Sequence, residues 1–575
     1  MIILEAGCEK TKAAGSLSDF DSDISEQENS NDEDVIADEN DENDQMSDES
    51  DNDDSDTTTE ETYRITINLK DNIGSEAVVS KNEDEIEVTE AKAGETVTIL
   101  AVPNPQRFVL LSVRSPEFTE LSDKVLVSVD SESFFVMPAE DVEIEAVFKD
   151  VSNFERVYVK TKAEGKADGS SWNNALDSVQ TAIDIASANE IPEIWIAAGT
   201  YYPDSYPAAT GNKHFSLKKD ITVRGGFVGI ESDISQRTLK DHHTVFSGNG
   251  LSPIINNSWG DRIDSSTVID GITFLDGQAD NNGAAINNGS PTIINCIFIN
   301  NRAEADSSGY VISSYESDMT IINSVFVNND LGVIRKFHDN LRIVNSTFFS
   351  NKGVSILSAN EITFEIYNSI LFNEGDAEFS SLYSRCYIGG VIENSLVKNG
   401  FQDQLIVDSD PIFKDISGED PLIWDLNLSS ISPGLDNGSN KFLTEEFLNV
   451  DLDGNGVIED ISENLKDVGG NSRFSGKNVD VGAFESAELS TKPVYSVTVT
   501  KIDDVSGEDV YINKDQPSPD DYIEIMTDTT ADRKVALKVM SDGKEIKLKH
   551  TVVSKDSKVV FIMPENDVEI IAEFG

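Results

Sequence analysis

The sequence predicts an all-β fold built around a parallel β-helix, and three observations carry this prediction. A short phrase, in which apolar residues precede Asn-Ser or Asn-Cys and are followed by more apolar residues and a second Asn, occurs five times. Its first asparagines are 28, 22, 23 and 26 residues apart, about the length of one solenoid coil. The flanking residues are mainly Ile, Val and Phe, which favour short strands over the strand-plus-helix unit of leucine-rich repeats.

The asparagines of this phrase suit the sharp corners of such a coil. Asn tolerates the left-handed backbone conformation that a sharp corner needs, and its amide can hydrogen-bond to the Asn one coil away. We therefore expect the first asparagines to form an internal ladder, with a second asparagine five or six positions after each. The expected ladder consists of Asn295, Asn323, Asn345, Asn368 and Asn394, and the second asparagines are Asn300, Asn329, Asn351, Asn373 and Asn399.

Length and charge limit the function classes. A chain of 575 residues is long enough for about three or four domains, and a solenoid can exceed the usual domain length because it grows along one axis. The formal net charge is −62, from 106 acidic and 44 basic residues. Such a surface repels nucleic acid and anionic membrane faces, and the sequence has no run of eighteen apolar residues.

Residues 1–62 are predicted to be a disordered acidic tail. Between Asp19 and Glu61 the chain has 21 acidic residues and no Lys or Arg, so it has too little apolar surface to offset the entropy of folding. The preceding LEAGC segment at residues 4–8 resembles the end of a bacterial lipoprotein signal, which implies acylation of Cys8. The tail would then be a spacer from a cell surface. The alternatives are an incidental Cys8, because Glu5 departs from the signal, and a tail without a spacer role.

Two copies of a small all-β module are predicted at residues 63–150 and 494–575. Both end on the same motif, FVMPAEDVEI at residues 135–144 and FIMPENDVEI at residues 561–570. The motif resembles the ending of internalin-type B repeats of bacterial surface proteins. This resemblance implies that the modules are stalks or spacers without catalytic residues.

Residues 151–487 are expected to form the β-helix. Leu176, Val179, Ile183 and Ala186 have helical spacing, which predicts a short helix that caps the first coils. The surrounding segments VYVKTKAEGKADGSSWNNALDSVQTAID, EIWIAAGTYYP and VRGGFVGIESDISQR resemble the opening coils of bacterial right-handed parallel β-helix proteins of the pectin-lyase-like superfamily. This superfamily includes relatives of the chlamydial polymorphic outer-membrane protein repeats. The resemblance covers residues 155–486 and implies a right-handed coil, but it speaks weakly for activity because the superfamily contains lyases, hydrolases and adhesins.

A segment near the end of this region matches the start of a calcium-binding loop. The spacing of its oxygen ligands, with Gly at the sixth position, is that of an EF-hand-like loop. The loop departs from the pattern at its twelfth position, where Ser462 replaces a bidentate Glu, so an acidic turn is the alternative. The expected calcium ligands are Asp451, Asp453, Asn455, Val457 and Asp460.

Few residues are candidates for catalysis. A polysaccharide lyase of this fold would need a Lys or Arg base of lowered pKa beside a calcium ion, and a hydrolase would need carboxylates on adjacent coils. A solvated face of the solenoid is the alternative for any such charged cluster. The catalytic candidates are Arg335, Lys336, His338, Asp339 and Arg342, with a second group at Arg302, Glu304 and Asp306.

The sequence therefore predicts a bacterial cell-surface or secreted β-helix protein that binds an extracellular glycan, or a surface or matrix protein, without catalysis. One alternative is a carbohydrate-active enzyme, a polysaccharide lyase or glycoside hydrolase acting on an extended acidic polysaccharide. Another is a structural surface-layer component. Calcium is the one cofactor expected, and membrane contact is expected only through a lipid anchor. A cluster of carboxylates, or of Arg with carboxylates, in a lateral groove would favour the enzyme, and a polar groove with exposed aromatic residues would favour binding.

Overall fold

Three parallel sheets wind into a solenoid of about seven turns, which confirms the predicted fold class. Each turn contributes one strand to each sheet along most of the solenoid. The computed structural model describes residues 61–72, 75–82, 85–86, 88–116, 122–126, 132–162, 164–203, 213–279, 282–303, 309–359, 362–381, 388–401, 406–448, 465–476, 478–514, 516–530, 533–548, 550–554 and 557–575.

We call the three sheets A, B and C in the order in which the chain visits them. Sheet A has nine strands: Val157–Val159, Glu193–Ala197, Thr222–Phe227, Val268–Asp270, Thr292–Ile294, Met319–Ile322, Asn340–Val344, Ile362–Tyr367 and Ile388–Glu393. Sheet B has eight: Gly199–Tyr201, Thr244–Ser247, Ile272–Leu275, Ile297–Ile299, Val325–Val327, Thr347–Phe349, Ile370–Phe372 and Leu396–Val397. Sheet C has six: Ile255–Asn256, Gly283–Asn287, Tyr310–Ser314, Gly332–Lys336, Ile356–Ser358 and Phe379–Ser381.

The interior of the solenoid is filled by rows of like side chains in register. Phe274, Phe298, Phe326 and Phe348 occupy equivalent positions of sheet B. Their ring centroids are 4.4 to 4.6 Å apart along the row, close to the spacing between neighbouring strands. Because every coil places the same residue type at the same position, stacking buries a continuous apolar core that no single coil could form.

The corner between sheets A and B is made by the first asparagine of each phrase. All five have left-handed φ angles between 47° and 53°. The Nδ2 of Asn323 donates to Oδ1 of Asn295, and the Nδ2 of Asn368 donates to Oδ1 of Asn345 at 3.2 Å. The Nδ2 of Asn394 donates instead to the backbone oxygen of Asn437 at 3.3 Å, so the row contains direct links as well as links to the C-terminal part of the chain.

A second row of hydrogen bonds follows this corner. In Ser324, Ser346 and Ser369 the backbone N–H donates to the serine hydroxyl of the next coil at 3.0 to 3.2 Å. Cys296 occupies the same position in its own coil, is buried, and donates its N–H to Ser324 Oγ at 3.1 Å. Burial raises the pKa of the Cys296 thiol to about 12, which is consistent with a packing role.

The corner after sheet B carries a buried asparagine ladder. In Asn301, Asn329 and Asn351 the Nδ2 donates to Oδ1 of the asparagine in the next coil at 2.7 to 2.9 Å. The last rung, Asn373, donates to the carboxylate of the buried Glu378 at 3.1 Å. The ladder therefore begins at Asn301. Its neighbour Asn300 lies outside the ladder, where it accepts a hydrogen bond from Asn328 at 2.8 Å.

Replacement of Asn351 by aspartate is expected to lower the free energy of unfolding by about 2–3 kcal/mol, because a buried amide loses its donor. The Asn351 Nδ2 donates to the Phe326 oxygen at 2.9 Å and to Asn373. Asn328→Asp makes the same chemical change at an exposed amide and should cost less than about 1 kcal/mol. Chemical denaturation of both variants measures the difference, and equal losses would argue against a stabilising ladder.

The predicted short helix is present at Val179–Ala188. It lies at the end of the solenoid that the first coils form. Ser178 caps this helix, because its hydroxyl accepts a hydrogen bond from the Thr181 N–H at 3.2 Å. Val179, Ala182, Ile183, Ile185 and Ala186 join the core of the first coils. The other helical segments are Glu445–Leu448 and the short 3₁₀ helices Trp172–Asn174, Ile234–Gln236, Trp259–Asp261, Pro421–Ile423 and Asn440–Leu443.

Beyond Val397 the chain turns back along the outside of the solenoid. We call the described part of residues 406–486 the C-terminal wrap. Phe442 and Val479 of the wrap pack on the outward residues of sheet A, and Phe413 and Leu428 pack on those of sheet B. The wrap also contains a two-stranded sheet of Phe413–Asp415 and Asp425–Leu428. Gln278–Ala279 and Arg302–Ala303 pair in another two-stranded sheet.

Small β-sheets flank the solenoid on both sides in sequence. In each, the closing strand pairs in parallel with the first strand and antiparallel with a third. The first module consists of Thr62–Lys70, Glu76–Asn82, Glu85–Ile86, Glu90–Lys92, Thr96–Val102, Arg107–Arg114, Ser122–Leu126, Glu132–Val136 and Val142–Asp150. The second module consists of Val497–Ile502, Asp509–Ile512, Tyr522–Asp528, Val535–Ser541, Lys544–Ile546, Val552–Val553, Ser557–Ile562 and Val568–Phe574.

Candidate functional site

The structure distributes the five catalytic candidates over different surroundings. Arg335 lies on the outer side of sheet C, where its Nη2 donates to the Ser313 hydroxyl at 2.8 Å. Arg342 lies on sheet A and pairs with the Glu365 carboxylate at 2.7 Å. His338 and Asp339 are exposed in the turn between these two strands. The two arginines therefore lie on different faces of the solenoid.

Lys336 is buried inside the solenoid, and backbone oxygens accept hydrogen bonds from its amine. Its Nζ donates to the backbone oxygens of Ser317 at 2.6 Å and of Tyr315 at 3.4 Å. Burial lowers the pKa of Lys336 to about 8, which is the property that a lyase base would need. The side chain is nevertheless fully buried, so a polymer on the outer surface does not reach its amine.

Several other predicted sites lie outside the described residues. These are Cys8, the acidic tail before Glu61, the calcium ligands Asp451, Asp453, Asn455, Val457 and Asp460, and the carboxylates Glu304 and Asp306. Among the residues that the structure describes, no group of three or more His, Cys, Asp or Glu side chains is arranged to hold a metal ion. Calcium binding therefore stays a prediction. No helix in the described ranges is long and apolar enough to cross a membrane.

A partly exposed aromatic surface lies on the corner between sheets C and A, and we call it the aromatic corner. It is formed by Trp259, Tyr315 and Phe337, each in the turn after the sheet C strand of its coil. The Trp259 and Tyr315 ring centroids are 5.0 Å apart in an edge-to-face arrangement. Tyr315 and Phe337 stack at 4.1 Å. The three rings thus form a continuous row along the solenoid axis.

Hydrogen bonds from a buried asparagine hold the turn that carries Trp259 at the surface. The buried Asn257 donates its Nδ2 to the backbone oxygens of Leu217 at 2.6 Å and of Asp261 at 2.8 Å. This fixes the short 3₁₀ helix Trp259–Asp261 on the surface. The tryptophan is 60% exposed, so its side chain is accessible from solvent.

A shallow groove of about 180 Å³ runs beside Trp259 and Tyr315. The Arg262 guanidinium lies 4.1 Å from the centre of the Trp259 ring and pairs with the Glu316 carboxylate at 2.9 Å. The groove is lined by Lys219, Trp259, Gly260, Arg262, Ile263, Asp264, Gly289, Tyr315, Glu316 and Ser317. Lys219 and Asp264 form a second ion pair at 2.7 Å. The groove is therefore polar, and its charges on these four side chains are balanced.

Arg335 belongs to the same surface. Its guanidinium lies 5.3 Å from the centre of the Phe337 ring and 5.2 Å from that of Tyr310. Nε and Nη2 both donate to the Ser313 hydroxyl, at 3.2 and 2.8 Å, which orients the plane of the group. The remaining N–H groups can donate to a ligand that lies along the aromatic row.

A larger cavity of about 550 Å³ lies beside sheet A, between residues 234–241 and 465–471. Its polar side chains are engaged in holding the fold. Arg237 pairs with the buried Asp270 at 2.6 Å, and Asn323 donates to the Lys466 backbone oxygen at 3.0 Å. For this reason the aromatic corner, rather than the larger cavity, is the candidate site.

No protein-family model matches the chain, and no curated protein matches it. The candidate site therefore depends on the geometry of this chain.

Trp259, Tyr315 and Phe337 are not among the residues that the sequence pattern predicted as functional. A signal was present, because Tyr315 and Phe337 each directly follow the last residue of a sheet C strand, Ser314 or Lys336. It was obscured because the turns of sheet C vary in length. Residues 257–267 separate sheets C and A around Trp259, whereas only residues 288–291 do so in the next coil.

Proposed function

We propose that this protein is a bacterial cell-surface or secreted glycan-binding protein whose binding surface is the aromatic corner. The observation that carries the proposal is the row of Trp259, Tyr315 and Phe337 beside a polar groove. Tyr315 and Phe337 stack on each other and present their ring edges to a ligand along the row. These apolar edges can contact sugar C–H groups, and nearby polar groups can bind the sugar hydroxyls. This arrangement supports adhesion as the proposed role.

The orientation of the row supports a polymer rather than a single sugar. The rings succeed one another along the solenoid axis with centroid separations of 5.0 and 4.1 Å. An extended chain lying parallel to the axis contacts all three. The paired Arg262–Glu316 and Lys219–Asp264 side chains offer donors and acceptors to hydroxyl groups without an excess of either charge.

The resemblances of the sequence support the proposed location. Residues 155–486 resemble surface proteins of the pectin-lyase-like superfamily, and the modules resemble internalin-type B repeats. A lipid anchor at Cys8 with residues 9–62 as a spacer would hold the solenoid away from the membrane. A calcium ion at Asp451 and Asp453 would be structural.

Trp259→Ala is expected to weaken glycan binding by roughly tenfold or more, because it removes the most exposed ring of the row. A panel of neutral and acidic polysaccharides, assayed for retention with calcium present, first identifies the bound polymer. Titration calorimetry then compares the variant with the unchanged protein. Tyr511→Ala is the matched control, because Tyr511 is 50% exposed but lies in the second module.

Three outcomes would contradict this proposal. If Trp259→Ala and Tyr511→Ala bound the glycan equally well, the aromatic corner would not be the binding surface. If the panel released unsaturated or new reducing ends, the enzymatic alternative would hold instead. Retention of no polymer at all would also reject glycan binding.

A further inference from the structure

A buried lysine contacts a side-chain amide where the second module meets the C-terminal wrap. Lys514 belongs to the second module, and its Nζ lies 3.3 Å from Oδ1 of Asn437 in the wrap. The same Nζ lies 3.3 Å from Oδ2 of Asp521. Asn437 is 1% exposed, and the Lys514 side chain is 13% exposed. An amine, an amide carbonyl and a carboxylate thus meet in a nearly dry space.

The surroundings ease the loss of a proton from the Lys514 ammonium. Burial lowers the pKa of Lys514; the Asp521 carboxylate opposes this effect, and the neighbouring Lys492 ammonium adds to it. Asp521 is shared, because its Oδ1 also lies 3.5 Å from the Lys492 Nζ. Desolvation and a second cation are the two conditions that turn a lysine into a nucleophile in proteins.

The amide of Asn437 is held in a fixed and polarised position. Its Oδ1 accepts a hydrogen bond from the Tyr522 N–H at 3.1 Å. Its Nδ2 donates to the backbone oxygens of Asp520 at 2.7 Å and of Pro433 at 3.2 Å. A donor that already contacts the carbonyl oxygen also stabilises the negative charge that forms there during attack.

We propose that Lys514 and Asn437 form an isopeptide cross-link between the second module and the C-terminal wrap. Asp521 accepts a proton from the Lys514 ammonium, and the neutral Nζ forms a bond to Cγ of Asn437. The Tyr522 N–H holds the resulting oxyanion. A proton passes from the attacking nitrogen to Nδ2, the Cγ–Nδ2 bond breaks, and ammonia leaves with the proton held by Asp521 as ammonium. No oxidant, reductant or co-reactant is required.

The cross-link is tested by the mass of the intact, denatured full-length chain. The expected mass is lower than that of the sequence by one molecule of ammonia. Tryptic digestion should yield a branched peptide that joins the two segments and is not cleaved after Lys514. Lys514→Arg keeps the positive charge but should restore the full sequence mass and abolish the branched peptide.

Two further variants make the outcome specific. Lys398→Arg is the matched control, because the Lys398 Nζ donates to the backbone oxygens of Asn373 and Gly375, and the mass deficit should persist. Asn437→Asp should lose water in place of ammonia. Circular dichroism confirms that each variant is folded.

A full sequence mass in the unchanged protein after prolonged incubation would overturn the cross-link. A deficit that persists in folded Lys514→Arg would also overturn it, because the ammonia would then have left another residue.

Discussion

Replacement of Arg473 by methionine is expected to lower the free energy of unfolding by about 3–5 kcal/mol, because it leaves buried carboxylates without their cation. The Arg473 guanidinium is completely buried between the solenoid and the C-terminal wrap. Its Nη2 donates to Oδ1 of Asn323 and to the Gly482 backbone oxygen. Its Nη1 lies 3.8 Å from the Glu485 carboxylate. One side chain therefore joins the asparagine corner to the wrap.

Arg342→Met provides the matched comparison. Arg342 also pairs with a glutamate, but its side chain is 30% exposed and that of Glu365 is 42% exposed. An exposed ion pair contributes less than about 1 kcal/mol. Chemical denaturation of both variants at one pH measures the two losses in the free energy of unfolding. Similar losses would show that the buried Arg473 stabilises the fold no more than the partly exposed Arg342 does.

The pH dependence of stability gives a second measure of the same network. Burial raises the pKa of Glu485 and of Asp480. The Asp480 charge adds to the effect on Glu485, the Asp436 charge adds to that on Asp480, and Arg473 opposes both. Between the ordinary and the raised pKa the folded state binds more protons than the unfolded state, so stability falls as pH rises. Without Arg473 both pKa values rise further, so the fall in stability should extend to higher pH than in the unchanged protein. A Glu485→Gln substitution should flatten it.

The coil architecture could be predicted because its signals are local. The asparagine phrase repeats at nearly constant spacing, and Asn295 and its four counterparts all adopt the left-handed conformation at the corner after sheet A. The ladder that begins at Asn301 was harder to predict, because Asn300 and Asn301 are adjacent in that turn. Only the three-dimensional register shows that Asn301 points inward to Asn329, while Asn300 bonds to Asn328.

The candidate site depends on contacts between distant parts of the sequence, and it could not be derived in the same way. Trp259 and Tyr315 are 56 positions apart in the sequence, yet their rings touch because the intervening coil makes a short turn at Gly289. A Cβ at Gly289 would lie 2.6 Å from the Ile263 side chain. Spacing between charged residues suggested Arg335 and Arg342 together, whereas the coil places them on different sheets.

The contacts of the flanking modules with the solenoid bear on their role in stability. A stalk or spacer module would need few contacts with the solenoid. The structure instead places Phe108 of the first module in the solenoid's own apolar core, while its neighbour Val109 faces the module core. Tyr522 of the second module packs against the core formed by sheet B and the wrap. Each module therefore covers apolar surface of the solenoid, which terminal caps of repeat proteins do.

Tyr522→Ala is expected to lower the free energy of unfolding by about 3–5 kcal/mol, because it empties a buried aromatic site and removes three hydrogen bonds. The Tyr522 hydroxyl donates to the Ser395 backbone oxygen at 2.9 Å and accepts from the Ser395 and Val407 N–H groups at 3.3 Å. Ser395 is the last member of the serine row, so Tyr522 completes the hydrogen bonding of that row at its open end. Differential scanning calorimetry and chemical denaturation measure the loss.

Tyr522→Phe separates the two contributions, because it keeps the ring and removes only the hydroxyl. We expect it to cost about 1–3 kcal/mol, the range for leaving buried backbone donors unsatisfied. Both variants keep the Tyr522 backbone N–H, so the contact with Asn437 does not depend on the substituted side chain. Limited proteolysis after residue 487 should accelerate in Tyr522→Ala if the module is a cap. Unchanged proteolysis and a small stability loss would mean that the second module is an independent spacer.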